Sequence, residues 1–162
     1  MRLTWTELTV PANNYSQADL LSEWRWLLDT SYQIVLVSSL GDLFLADAAG
    51  RIHWLDAGAA RLTEVAASLD EFQQLRQQPV HATEWFATQM VGDLLQSGLR
   101  LARGQCFSYK VPPMLGGAWE AANFEPTDLS VHFSILGQVC RQVRDLPEGT
   151  PVSSVKVVPP AA

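Results

Sequence analysis

The stretch from residue 33 to 66 constrains the fold more than any other part of the chain. It holds four short runs rich in β-branched and aromatic residues, Ile34-Val35-Leu36-Val37, Leu43-Phe44-Leu45, Ile52-His53-Trp54-Leu55 and Leu62-Thr63-Glu64-Val65. Between them lie Gly41-Asp42, Asp47-Ala48-Ala49-Gly50 and Asp56-Ala57-Gly58, residues that turn a chain because they tolerate positive φ or bond their own backbone. Strands joined by connections this short pair antiparallel, since a parallel crossover takes a dozen residues or more. The region therefore reads as a three- or four-stranded antiparallel meander, with Gly50 free to adopt a positive φ in a tight hairpin.

Apolar spacing of three and four marks the helices around it. Leu20, Leu21, Trp24, Leu27 and Leu28 predict an amphipathic helix capped by Ser16. Ser68 and Glu71 have capping-box spacing ahead of a short helix with Leu69, Phe72 and Leu75 on its apolar side, ended by Pro79. A longer helix is expected from Thr83 to Gln96, with Trp85, Met90, Val91, Leu94 and Leu95 on one face and Gly98 as its stop. Leu129, Val131 and Phe133 alternate with Ser130 and His132 as a strand does, and Ser134 can then cap a last helix carrying Ile135, Leu136, Val139 and Val143. Short strands are also expected near Cys106 to Val111 and, at an edge, over Val152 to Val158. Residues 1–15 read as an arm or short strand with a turn at Pro11 and Asn13-Asn14, and 159–162 as a frayed tail. The expectation is one α+β domain over 1–162, a central antiparallel meander flanked by amphipathic helices.

Bulk properties narrow the function classes. With 162 residues, 48% of them hydrophobic, six Trp and 17% charged, the chain can build a core and lacks the signature of disorder. No apolar run approaches the ~20 residues that span a bilayer, so no membrane role is expected. A formal charge of −6 repels phosphate backbones and suits a basic protein surface, which argues against direct nucleic-acid binding. The opening Met1-Arg2-Leu3-Thr4-Trp5 carries no basic, apolar leader, so the cytoplasm is expected, with Cys106 and Cys140 as reduced thiols.

Little in the chain points to catalysis. His53, His81 and His132 stand alone, and neither they nor the two cysteines have the spacing of a metal site. Cys106 or Cys140 with His132 could form a nucleophile–base dyad, but no local signature marks one, and a buried small thiol is the plainer reading of each cysteine. Gly104 and Gly116-Gly117 do not open into Lys-Ser/Thr and a helix, as a phosphate loop does. Asp42, Asp56, Glu64 and Asp128 are scattered among turns and strand ends, and nothing local brings two together. The least generic segment is Gly104 to Gly117, where Pro112-Pro113 fixes φ and Gly116-Gly117 releases it. It is either a loop that seals the core or a rigid platform on which Tyr109, Lys110, Trp119, Glu120 and Asn123 meet a protein partner.

These residues also carry a resemblance. Gly41-Asp42-Leu43-Phe44-Leu45, Gly50-Arg51-Ile52-His53-Trp54-Leu55-Asp56, the 104–117 stretch, Ser134-Ile135-Leu136-Gly137-Gln138-Val139 and Asp145-Leu146-Pro147-Glu148-Gly149-Thr150 together resemble the C-terminal domain family of type VI secretion immunity proteins. The resemblance runs from about residue 20 to 152. More loosely, the Gly-Asp-Leu-Phe hairpin is similar to the wider superfamily of α+β immunity proteins that includes the yeast cell-wall regulator family. It implies a protein that neutralises a cognate toxin by binding it, a nuclease with a basic surface being favoured by the charge, with no cofactor and no chemistry of its own. A structural or regulatory interaction domain without a toxin is the alternative.

Overall fold

The computed structural model describes residues 2–160. Its centre is a five-stranded antiparallel sheet in sequence order, β1 (Thr9–Val10), β2 (Gln33–Ser38), β3 (Leu43–Ala46), β4 (Ile52–Asp56) and β5 (Arg61–Ala66). The expected meander is β2 to β5, and Gly50 turns its β3–β4 hairpin at φ +83°. The N-terminal arm contributes more than expected. Thr4 caps a four-residue helix, α1 (Trp5–Leu8), in a capping box with Glu7, and β1 then pairs with β2 through Thr9↔Ser38 and Val10↔Val37.

Helices cover both faces of this sheet, which explains why the middle strand β3 is a continuous apolar run. Side chains alternate across a strand, so Leu43 and Leu45 enter one core with Trp24, Phe133 and Leu136, while Phe44 enters the other with Phe72, Trp85 and Phe86. Phe44 is the hub of the second core, its ring centroid lying 5.0 Å from Phe72, 5.2 Å from Phe86 and 5.9 Å from Trp85. The first core is closed by α2 (Gln17–Leu21) and α6 (Leu129–Val143), the second by α3 (Leu69–Leu75), α4 (Pro79–Phe86) and α5 (Thr88–Gln96). A separate antiparallel ribbon, β6 (Gln105–Tyr109) with β7 (Phe124–Asp128), is tied to the sheet by Phe107 N–H donating to the Ser39 carbonyl at 2.7 Å.

Several helix boundaries differ from the sequence expectation, each for a local reason. The helix from Ser16 stops being α-helical at Leu21 and tightens into a 3₁₀ turn over Ser22–Trp24; Ser16 occupies the cap position without a side-chain capping bond. This turn aims two indoles at α6, Trp24 Nε1 donating to the Phe133 carbonyl at 3.0 Å and Trp26 Nε1 to the Gly137 carbonyl at 3.2 Å. Gly137 permits the contact, since a Cβ there would stand 2.6 Å from the Glu23 carbonyl oxygen. The expected 83–96 helix is two helices, broken at Ala87 in the left-handed conformation (φ 46°, ψ 53°), and Pro79 opens α4 at its first turn, where a missing N–H does no harm. Ser68 does cap α3, accepting from Glu71 N–H at 3.1 Å, but Leu69 is 47% exposed and only Phe72 on that side is fully buried.

The expected strand over 129–133 is the first turn of α6. Leu129, His132, Phe133, Leu136, Cys140 and Val143 are all buried at helical spacing, and the alternation of 129, 131 and 133 is a coincidence of that pattern. Ser134 is correspondingly a buried mid-helix residue that accepts from Gln138 Nε2, not a cap. The strand before α6 is the polar Phe-Glu-Pro-Thr-Asp run of β7.

Val152 to Val158 forms no ladder with another strand. Instead two side-chain amides of α6 grip its backbone. Gln142 Nε2 donates to the Lys156 carbonyl at 2.6 Å and Gln142 Oε1 accepts from Lys156 N–H at 2.9 Å; Gln138 does the same with Val158 at 2.8 and 2.7 Å. The spacing matches, because residues four apart on a helix rise about 6 Å and residues two apart on a strand about 6.6 Å. Of the tail expected to fray, Pro159 and Pro160 follow this grip, and Ala161 and Ala162 lie outside the described residues.

Candidate functional site

The segment singled out in the sequence folds as an irregular loop with a fixed shape. After β6 the chain makes a 3₁₀ turn over Pro113–Leu115, ended by Gly116 at φ +90°. Gly117 then passes so close to the first limb of the loop that a Cβ would lie 1.8 Å from the Val111 carbonyl oxygen, a position only glycine can hold. Asn123 fastens the loop from inside. Its Oδ1 accepts from Val111 N–H at 2.9 Å, while its Nδ2 donates to the carbonyls of Val111 at 2.9 Å and Ala118 at 3.0 Å. Asn123 is buried with its polar atoms engaged within the loop, whereas Lys110 projects to solvent.

Beside this loop lies a cleft of about 680 Å³, within the range of ligand sites. Tyr109, Trp119 and Glu120 line it, so three of the five sequence candidates converge there, and Lys110 and Asn123 do not. The opposite walls are Glu84 and Trp85 of α4, Ala87 at the helix break, and Met90 and Asp93 of α5; Asp42, Trp54 and Asp56 come from the β2–β3 turn and β4. Five carboxylates and four aromatic side chains thus face one space, and no Lys, Arg or His lines it. Among the described residues only Asp56 of these carboxylates has an ion-pair partner, the exposed Arg61 at 3.6 Å. Trp119 is 59% exposed at the rim, its ring edge-on to Phe124 at 5.5 Å.

Asp42 is the distinctive group. Its oxygens accept from Trp54 Nε1 and from Ala57 N–H, both at 3.0 Å. Desolvation, helped by the charge of Asp56, nevertheless pushes its pKa up to about 8, because two neutral donors offset only part of the penalty of a carboxylate that is half-buried and largely withdrawn from water. Burial, together with Asp42 and Asp56, also raises the Tyr109 phenol, so that ring presents a neutral hydroxyl. Asp42 and Asp56 are the functional candidates that sequence reasoning passed over. They are 14 positions apart, and only the β3–β4 register, with Leu43 opposite Leu55, brings them to the same end of the sheet.

The residues with chemical potential elsewhere are placed differently. His132 is 2% exposed, with Nδ1 2.6 Å from Ser108 Oγ and Nε2 2.8 Å from the Gly41 carbonyl; the carbonyl can only accept, so Nε2 carries the proton and Ser108 donates to Nδ1. Burial lowers its pKa to about 4, leaving it neutral. Cys106 and Cys140 are buried free thiols whose pKa values burial raises, and neither is a hydrogen-bond partner of His132. Neither Ser108 nor His132 lines the cleft. Among the described residues no three His, Cys, Asp or Glu side chains are gathered to hold a metal ion, and no helix is long and apolar enough to cross a membrane.

Fold and cleft together define an α+β protein with a concave, acidic, aromatic-walled site. Residues 66–140 match the model of the family described as T6SS immunity protein Tdi1, C-terminal, in agreement with the resemblance read from the sequence. The match runs from the last residue of β5 into α6 and includes α4, α5 and the Pro-Gly loop, while Asp42, Trp54 and Asp56 lie before it. Among solved structures, the chain is similar to that of Atu4351 from Agrobacterium tumefaciens, at 17% identity over 81% of this chain and 70% of that one, with a TM-score of 0.53. At that identity the likeness is one of fold. Comparison with curated proteins gives no match.

Proposed function

We propose that this chain is a non-catalytic, cytoplasmic immunity-type protein that neutralises a cognate toxin by binding it at the cleft. The match of residues 66–140 to an immunity-protein family carries the reading, because that span supplies three sides of the cleft. Tyr109, Trp119 and Glu120 act as contact residues, Lys110 touches the partner from the outer side of the loop, and Asn123 holds the loop in shape. A site that gathers carboxylates and excludes basic side chains suits a toxin with a basic surface, and a nuclease is the toxin class for which such a surface is part of the chemistry.

The test begins with a pull-down from the native cell to obtain the partner, followed by association kinetics. Raising ionic strength from about 0.05 to 0.5 M shortens the Debye length from roughly 14 to 4 Å, so the on-rate should fall about tenfold while the off-rate changes little. Trp119→Ala should raise the off-rate and leave the on-rate alone. An on-rate indifferent to salt would remove electrostatic capture, and a Trp119→Ala protein that binds like the parent would move the interface elsewhere. A partner that is not a toxin would replace immunity with the regulatory alternative.

A further inference from the structure

We propose that the cleft receives one arginine side chain of the bound protein, its guanidinium set between the aromatic walls and the carboxylates of Asp42 and Asp56. The proposal rests on the preceding reading and names the group at its centre. The cleft is larger than one side chain, so the arginine enters with the residues that flank it. Two features of the lining select the chemistry. Indole and phenol faces attract cations and stack against a planar one, and the carboxyl groups accept from its N–H groups: Asp42 has no cationic partner among the described residues, and Asp56 has only the exposed Arg61 at 3.6 Å, a surface pair weakened by solvent. Arginine meets both demands at once, being flat, weakly hydrated and forked; the ammonium of lysine is a compact, strongly hydrated point charge that gives up more on entering a walled site.

The Asp42 carboxyl gives this binding a pH signature. In the empty cleft near neutral pH it is mostly protonated, for the reasons of burial and Asp56 given above. A guanidinium arriving beside it favours the carboxylate, so the proton leaves as the cation binds. Proton release makes affinity rise with pH up to about 8 and level off beyond it. The titratable and charged groups around Asp42 are Asp56 on β4 with its partner Arg61, Tyr109 and Cys106 on β6, Glu84 and Asp93 on α4 and α5, Glu120 on the loop, and His132 of α6 against the neighbouring Gly41 carbonyl. The linkage is therefore assigned by changing Asp42 alone.

The experiment needs no toxin. Acetyl-Gly-Arg-Gly-amide, its lysine counterpart and its citrulline counterpart, which keeps the shape of arginine without the charge, are titrated up to about 10 mM into the whole protein. Binding is read by tryptophan fluorescence and by calorimetry in two buffers of different ionisation enthalpy. The arginine peptide should bind at least fivefold tighter than the lysine peptide and tenfold tighter than the citrulline one, with an affinity that rises roughly tenfold from pH 6.5 to 8 and a net release of protons. Asp42→Asn should abolish the proton release. Equal binding of the arginine and citrulline peptides, or absence of binding by all three, overturns the proposal, and these readings use the unaltered protein, so they hold even if Asp42→Asn does not fold. Failure of the functional reading looks different: there the arginine peptide binds as described and the native partner proves not to be a toxin.

Discussion

Gly41→Ala should destabilise the protein far more than its size suggests. Gly41 has φ +79°, and a Cβ built on it would lie 2.1 Å from Nε2 of His132, the atom that donates to the Gly41 carbonyl. The left-handed backbone alone costs a non-glycine residue about 1 kcal/mol. Expelling the imidazole also breaks its bonds to Gly41 and Ser108 in a buried site, at about 1 to 1.5 kcal/mol each, which brings the sum to roughly 3 to 4 kcal/mol. Gly50→Ala is the matched control, since Gly50 has φ +83° and nothing within 4 Å of its would-be Cβ; only the backbone cost of about 1 kcal/mol applies there. Urea unfolding followed by tryptophan fluorescence measures both, and at a slope near 2 kcal/mol per M the two midpoints should differ by about 1 M or more. In a His132→Ala background the extra cost of Gly41→Ala should disappear. Equal midpoints for the two alanine variants, or an undiminished cost in that background, would refute the reasoning that the approach of His132, beyond the backbone conformation, is what requires glycine at 41.

Two groups should tilt the pH dependence of stability in opposite directions. His132, held down near 4 against an unfolded value near 6.5, takes stability away as pH falls through that window, whereas Asp42, held up near 8 against about 3.9, takes it away as pH rises toward 8. The two nearly cancel between pH 4 and 6.5, so a melting curve series should be flat there and lose about 1 kcal/mol from pH 6.5 to 8, a limb that Asp42→Asn should remove. Cys106 and Cys140, both fully buried, should resist a thiol reagent in the native protein and react together on unfolding; labelling of either in the folded state would contradict their packing. If the chain is a single cooperative domain, fluorescence and far-UV circular dichroism should report one coincident urea transition, and two separated transitions would divide it.

The parts of this fold legible in the sequence are those governed by neighbours along the chain. The meander was readable because alternation and turn residues at Gly41-Asp42, Gly50 and Gly58 act within a few positions of one another. The break at Ala87 was not, since alanine normally favours helix, and here it is left-handed where α4 and α5 turn to pack in the same core as Phe44 and Phe107. The start of α6 was misread because Leu129, Val131 and Phe133 satisfy a period of two while Leu129, His132, Phe133 and Leu136 satisfy 3.6, and burial of the second set decides the matter. At the cleft, Tyr109, Trp119 and Glu120 could be chosen because they lie in and just beside one unusual segment. Asp42 and Asp56 could not, because their meeting depends on strand register and on helices that close the site from elsewhere in the chain.

The grip of Gln138 and Gln142 on the C-terminal segment is written entirely in peptide groups. Every hydrogen bond the two amides make to the tail goes to a backbone group, so any residue other than proline at 156 or 158 can take part in them. Hydrogen exchange should show the imprint as a two-residue rhythm, slow at Lys156 and Val158 and fast at Val155 and Val157. A helix here serves as the neighbouring strand for a segment that has none, and the backbone of residues 156 and 158 keeps its place whatever non-proline side chains those two positions carry.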